Sequence, residues 1–259
     1  MPLLPAFRTL LPTATIWDAA ELASRDPGFD ARNFGASALV RPRDVEDVAT
    51  LVTFCAERGV SLVPQGGRTG LAGGAATSEG QIICDLGGLA QIEEIDPFAR
   101  VAIVQAGVTL GALQEACAVH GLDPGIDLAA RGSATVGGMV STNAGGIMAF
   151  RNGTMRHRVL GLEAVLPDGR VFSDLTRVLK TSAGYDLKHL FIGASSARRA
   201  RSASSPAWRC GSIRWPGPAP QPLSACPMRP APSASCGISW APPARGFPPP
   251  RSCGAILLR

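Results

Sequence analysis

No stretch of 18 consecutive apolar residues occurs in this 259-residue chain, so no membrane-spanning helix is expected. The N-terminus MPLLPAFRTLLPTATIW lacks the basic lead and clean apolar core of a secretory signal, and the seven cysteines are odd in number with no CxxC pair. Those absences favour a reducing compartment, and a cytoplasmic location is the expectation. His157 and His189 are too far apart in sequence to suggest a metal pair, so no metal site is expected. Two common phosphate loops are also missing: no GxxxxGK[ST] is present, and no GxGxxG opens a helix.

Another absence is local. After residue 194 there is no Asp, Glu or Lys, while the same 65 residues carry nine arginines, 13 of the 22 prolines, three of the four tryptophans and four of the seven cysteines. The preceding part holds 16 Lys and Arg against all 20 acidic residues, so it is net negative although the whole chain is +5. The overall basic balance therefore gives no reason to expect a nucleic-acid partner for the folded part. The 46% hydrophobic and 17% charged composition otherwise suits a globular protein with one large or two modest cores.

What is present begins with DVEDVATLVTFCAERG, where Val45, Val48, Leu51, Val52 and Cys55 recur at helical spacing between an N-cap at Asp44 and a stop at Gly59. VSLVP reads as a buried strand running into PQGGRTGLAGG, residues 64–74. QIICDL and RVAIVQAG read as strands, the second with Val101, Ile103 and Gln105 on one face. Thr109 caps a helix that ends near Gly121, and VLGLEAVLPDGRVF reads as a hairpin turned by Pro167, Asp168 and Gly169. Strands and helices interleave over 35–194 without a strict βαβ repeat. His120, Tyr185 and Lys188 are read as surface or packing residues, and Cys55, Cys84 and Cys117 as buried thiols.

The 64–74 stretch sets five glycines around one arginine, one threonine and one leucine. Bare backbone of this kind can aim several N–H groups at one anion, and each charge-assisted bond contributes roughly 1.5–3 kcal/mol. A second glycine-rich stretch, GSATVGGMVSTNAGG at 132–146, has too many hydroxyls and too little bulk for a core helix and reads as another loop. Two such stretches suit a long ligand contacted along its length.

These stretches, with GIDLAARGSATVGG, RNGTMRHRVLGLEAVLPDG and LKTSAGYDLKHLFIG in the same order, resemble the PCMH-type FAD-binding domain of the vanillyl-alcohol oxidase superfamily. Within it they are most similar to the FAD-linked D-2-hydroxyacid dehydrogenases that act on 2-hydroxyglutarate, lactate or glycolate. The resemblance implies an α+β fold, a PCMH-type domain of two small α/β subdomains over residues 35–194. It is preceded by an N-terminal segment, 1–34, and followed by a disordered tail, 195–259. It implies FAD, with the pyrophosphate on Pro64, Gly66, Gly67, Arg68, Thr69, Gly70, Leu71, Gly73 and Gly74. The ribityl and isoalloxazine would then run along Gly132, Ser133, Thr135, Gly137, Gly138, Ser141, Asn143, Ala144, Gly145 and Gly146. Some relatives attach the flavin through a histidine in the first loop; Arg68 stands at the corresponding place here, so non-covalent FAD is expected. The implied reaction takes a small 2-hydroxyacid to the 2-oxoacid, with an electron acceptor that the resemblance leaves open.

After FIG the family continues with a small residue and EGTLGVIT, whereas this chain reads ASSARRARSASSPAW. Permitted codons for residues 199–208, shifted by one base, translate as EGTLGVITRV, so the tail is read as out-of-frame translation of a GC-rich gene. On that reading the chain is truncated, the family's catalytic base, substrate arginines and any metal ligands fall mostly in the missing C-terminal half, no catalytic residue is assigned, and FAD is held weakly if at all. Two alternatives stand beside this: a non-catalytic FAD-binding fragment, and an arginine-rich tail that binds nucleic acid, the latter poorly served by nine dispersed arginines.

Overall fold

The computed structural model describes residues 3–177, 182–193 and 255–258. The tail expected to be disordered, 195–259, lies outside the described residues over 195–254 and at 259, as do residues 179–181 of the family-like stretch.

The chain opens with helix α1 (Leu3–Leu10), whose Phe7 is fully buried and stacks obliquely on Phe54 at 5.2 Å between ring centroids. Strand β1 (Thr15–Asp18) follows, then the short α2 (Ala19–Ala23), closed by a capping box between Asp18 and Glu21. A 3₁₀ turn at Ala31–Phe34 leads to β2 (Ala38–Arg41). Helix α3 (Val45–Glu57) starts where expected, with the Asp44 carboxylate accepting from the Asp47 N–H, and buries Val48, Leu51, Val52 and Cys55. The chain returns through Gly59 at φ +63°. Strands β3 (Leu62–Gln65) and β4 (Ile82–Asp85) complete a four-stranded sheet ordered β1-β2-β4-β3, in which β4 runs parallel to both neighbours and β1 is antiparallel to β2.

A second sheet is built from β5 (Ile92–Asp96), β6 (Val101–Val104), β7 (Val159–Val165), β8 (Val171–Asp174) and β9 (Ala255–Leu258), ordered β5-β6-β9-β7-β8. Helix α4 (Leu110–Ala118), capped by Thr109 as expected, lies between β6 and β7 in sequence, together with α5 (Val136–Thr142) and α6 (Ala149–Asn152). The β7–β8 hairpin turns with Gly169 at φ +81°, again as expected. A single helical turn, α7 (Lys188–Phe191), is all that LKHLF forms.

Three points differ from the sequence reading. Strand β6 does not alternate, because Val101, Ala102 and Val104 are all buried in a strand covered on both faces. The stretch 132–146 is not an open loop: Val136, Met139 and Val140, at i, i+3 and i+4, seat α5 in the second core. Its glycines serve that packing, since a Cβ on Gly137 would lie 2.7 Å from Ala106 Cβ. Finally, the end of the tail adds a strand, with β9 parallel to β6 (Val101 opposite Ala255, Val104 opposite Leu258) and to β7. GAILL is the apolar run that the tail offers for such a place.

Candidate functional site

Strand β3 ends at Gln65 against β4, and the chain then leaves the sheet in residues 66–74. Gly66 and Gly67 pass directly over the segment before α5. A Cβ on Gly66 would lie 2.2 Å from Thr135 Oγ1, and one on Gly67 would lie 1.7 Å from the Ser133 carbonyl oxygen. Neither position can carry a side chain without parting the two segments. Residues 131–137 are in turn strapped to 106–111 by four backbone bonds, Leu110 N to Ala134 O, Gly111 N to Arg131 O, Val136 N to Val108 O and Gly137 N to Ala106 O, each 2.8 Å.

Between the two segments is a cavity of about 300 Å³. Of the residues expected at the ligand, Pro64, Gly66, Gly67, Arg68, Thr69, Gly70 and Gly74 line it from the first stretch. Thr135, Gly137, Gly138, Ser141 and Ala144 line it from the second. The structure does not bring the others to its wall. Leu71 points to solvent at 77% exposure, and Gly73, at φ +67°, lies where a Cβ would come within 3.7 Å of Arg32 Nη2. Gly132 is absent from the wall, and Ser133 faces Gly67 through its backbone. Asn143 closes α5 in the left-handed region at φ 53° and accepts from the Arg156 N–H at 2.9 Å. Gly145 packs on Ala149, and Gly146, at φ +63°, lies where a Cβ would meet the Asp127 carbonyl oxygen at 2.0 Å. These last three shape the chain's exit from the site.

The two stretches differ in what they can donate. Backbone N–H groups of Ser133, Ala134, Val136, Gly137 and Met139 are all spent inside the protein, and Gly138 N–H donates to Thr135 Oγ1 at 3.3 Å. No backbone N–H from Gly66 to Gly74 donates to another protein group among the described residues. The first stretch thus keeps the free amides that an anion nest needs, and the second offers hydroxyls and bare, close-packed surface. Arg68 lies at φ 55°, a left-handed conformation that non-glycine residues seldom adopt, and its guanidinium sits 4.8 Å over the Phe34 ring. Its Nε is buried with no hydrogen-bond partner.

Sequence reasoning passed over Gln65, Leu86, Ala106, Leu128 and Met139, which also line the cavity. Gln65 is 2% exposed, and its Nε2 donates to the carbonyls of Asn33 and Ala75, both at 2.7 Å, tying the base of the 66–75 turn to the N-terminal segment. Thr77 Oγ1 reinforces the tie by donating to the Arg32 and Asn33 carbonyls at 3.1 Å. A polar residue closing a strand was the available signal. Beneath the nest, Arg41 holds Asp85 through Nε and Nη2 at 2.9 and 2.6 Å, while Asp85 caps the following turn by accepting from Gly87 N–H. His189 contacts Asp186 at 3.3 Å, and burial lowers its pKa. Arg158 is 2% exposed, donates to the Pro124 and Asn152 carbonyls, and has its pKa pushed down to about 9 by burial. Among the described residues no cluster of three His, Cys, Asp or Glu could hold a metal, and no helix is long and apolar enough to cross a membrane.

The site's donors fit a diphosphate-bearing cofactor: unspent amides, a cradle that a Cβ would fill, and a guanidinium N–H without a partner. Comparisons agree. Over 192 residues the chain is 39% identical to D-2-hydroxyglutarate dehydrogenase, mitochondrial, of Bos taurus, covering 74% of this chain and 35% of that protein. It is 40% identical over 189 residues to the D-2-hydroxyglutarate dehydrogenase, mitochondrial, of Danio rerio, covering 73% and 36%. With D-lactate dehydrogenase of Archaeoglobus fulgidus it shares 42% over 168 residues, covering 63% and 36%. The chain therefore spans about a third of the length of these curated relatives. The fold is that of part of a solved alkyldihydroxyacetonephosphate synthase, at TM-score 0.56 and 18% identity, over 69% of this chain and 33% of that one. The FAD binding domain family matches residues 36–174, more than half of the chain, and the protein belongs to that family.

Proposed function

We propose that this chain is the FAD-holding part of an FAD-linked D-2-hydroxyacid dehydrogenase. The observation that carries the reading is the run of unspent amides from Gly66 to Gly74, in a stretch most of whose residues line the cavity beside the Gly66–Thr135 and Gly67–Ser133 contacts. Those amides, Arg68 and the Thr69 hydroxyl would hold the FAD diphosphate, while Thr135, Ser141 and the bare surface of Gly137 and Gly138 would flank the rest of the cofactor. No histidine lies in the first stretch, so the attachment is non-covalent. When bound, FAD supplies a two-electron acceptor for oxidation of a 2-hydroxyacid to the 2-oxoacid. This chain's residues position and shield it. The substrate class, 2-hydroxyglutarate or lactate, is supported by the names of the relatives above. A cytoplasmic location is part of this reading and is supported by the odd cysteine count without a CxxC pair.

A second reading, a non-catalytic FAD-binding fragment, is favoured by the chain's coverage of about a third of its relatives. One experiment separates the two. The full chain, and a gene restored to the alternative frame after codon 198, are titrated with FAD by flavin fluorescence and then assayed for dye reduction by D-2-hydroxyglutarate and D-lactate. FAD binding by both, with turnover by the restored product alone, is the expected result. Absence of saturable FAD binding in both would overturn the reading, and turnover by the full chain would remove the fragment alternative.

A further inference from the structure

We propose that Gln65 reads the ligand directly, its side-chain Oε1 accepting a hydrogen bond from a sugar or polyol hydroxyl adjacent to the diphosphate. The inference rests on the FAD reading above and adds a recognition group to it. Gln65 is 2% exposed and lines the cavity, and its Oε1 is buried with no hydrogen-bond partner. The orientation of the amide is fixed by its surroundings. Nε2 faces two carbonyl oxygens, of Asn33 and Ala75, both at 2.7 Å, and only the amino end can serve them. The carbonyl end is therefore the one left without a partner, in a residue that lines the cavity. A buried acceptor in that position needs a donor, and no protein group among the described residues supplies one.

The chemistry of the partner follows from what surrounds it. An anion's oxygens satisfy the amides and Arg68 Nε, but they have no hydrogen to give Gln65 Oε1. A ligand that satisfies both must carry hydroxyls next to its phosphates, as the ribityl and ribose units do on either side of the diphosphate in FAD. Gln65 and Arg68, three residues apart on one turn, then act as an acceptor and a donor that distinguish a nucleotide from a bare phosphate or pyrophosphate.

The test uses the full chain, titrated with FAD and with FAD analogues that each lack one ribityl or ribose hydroxyl, on the wild type and on Gln65→Met. In the wild type, one analogue should bind about five- to tenfold more weakly than FAD, the effect of one hydrogen bond. In Gln65→Met, FAD and that analogue should bind alike. Analogues that all bind within about twofold of FAD in the wild type would overturn the proposal, leaving Oε1 to water. So would a discrimination that survives in Gln65→Met. Because Gln65 also ties down the turn, that variant could lose its fold. The ¹³C shift of the Gln65 side-chain carbonyl in the wild type then decides: movement with FAD but not with the weak analogue supports the proposal, and equal response to both sinks it. Failure of FAD itself to bind is read in its own arm and removes the underlying cofactor reading together with this one.

Discussion

Gly67 crosses the chain at Ser133 so closely that a Cβ would fall 1.7 Å from the Ser133 carbonyl oxygen, whereas a Cβ on Gly138 would meet only Thr135 Oγ1, at 3.1 Å. Both glycines line the same cavity, yet substitution should act on them through different routes. Gly67→Ala must separate strand β3's exit from the segment before α5, so it should lower stability by about 2–3 kcal/mol and FAD affinity with it, in the range of strained core insertions. Gly138→Ala replaces a helical glycine in α5, where alanine is favoured by about 1 kcal/mol. It should leave the melting temperature unchanged or raised while weakening FAD binding, because the new methyl stands in the cofactor's path. Denaturant melts paired with FAD titrations check this, and equal stability losses at the two positions would refute the distinction.

Arg68 holds a left-handed backbone that glycine adopts without strain. Arg68→Gly should therefore be close to neutral for folding, the relief of roughly 1 kcal/mol offsetting the lost contact over Phe34. Its affinity for FAD should fall about tenfold, with a weaker dependence on salt than the wild type, if the guanidinium meets the diphosphate. FAD titrations at two ionic strengths measure both effects. A loss of affinity with the salt dependence unchanged would place Arg68 away from the anion.

Much of this site could be read in the sequence because a few residues act locally. Asp44 caps its own helix, Gly59 turns the chain, and the 66–74 glycines announce bare backbone wherever they lie. What could not be read depends on partners distant in sequence. Strand β1 gains its place by pairing with β2, and β5, IEEID, is a polar edge strand that looks like a loop until β6 lies beside it. Helix α5 is obscured in the sequence by Gly137 and Gly138, both poor helix formers, and the smallness of Gly137 makes sense only once Ala106 is seen against it. Gln65 stands in the sequence as one unremarked residue of the glycine-rich stretch; its role depends on Asn33 and Ala75, 32 and 10 residues away.

Burial raises the Cys55 thiol from 9.0 to about 12, with Arg58 opposing, in a residue 1% exposed on α3. The thiol in the unfolded chain ionises near its ordinary value while the folded one keeps its proton. The unfolded state thus binds fewer protons between about pH 9 and 12, and stability must fall as pH rises through that window. The full shift corresponds to an upper limit of about 4 kcal/mol. Cys55→Ala lacks this titration and should begin less stable at pH 7, by about 1–2 kcal/mol for the lost packing. The gap to the wild type should then narrow above pH 9. Urea melts at pH 7, 9 and 10.5 follow the difference; a constant gap would show that Cys55 ionises no later in the folded state.

Strand β9 occupies the centre of the second sheet, parallel to β6 on one side and β7 on the other. Its neighbours contribute buried Val101, Val104, Val159 and Leu162, so without β9 two strand edges and apolar surface would face water. Proline at a central position removes a backbone donor from the ladder and blocks pairing. Leu257→Pro should therefore lower the melting temperature by several degrees and raise light scattering. Deletion of residues 255–259 should do at least as much. In the frame-restored protein, where those residues are no longer encoded, the segment translated as EGTLGVITRV should take the slot, so its solubility must not depend on GAILL. Full-length protein whose melting and scattering are unaffected by either change would show that the sheet closes without β9.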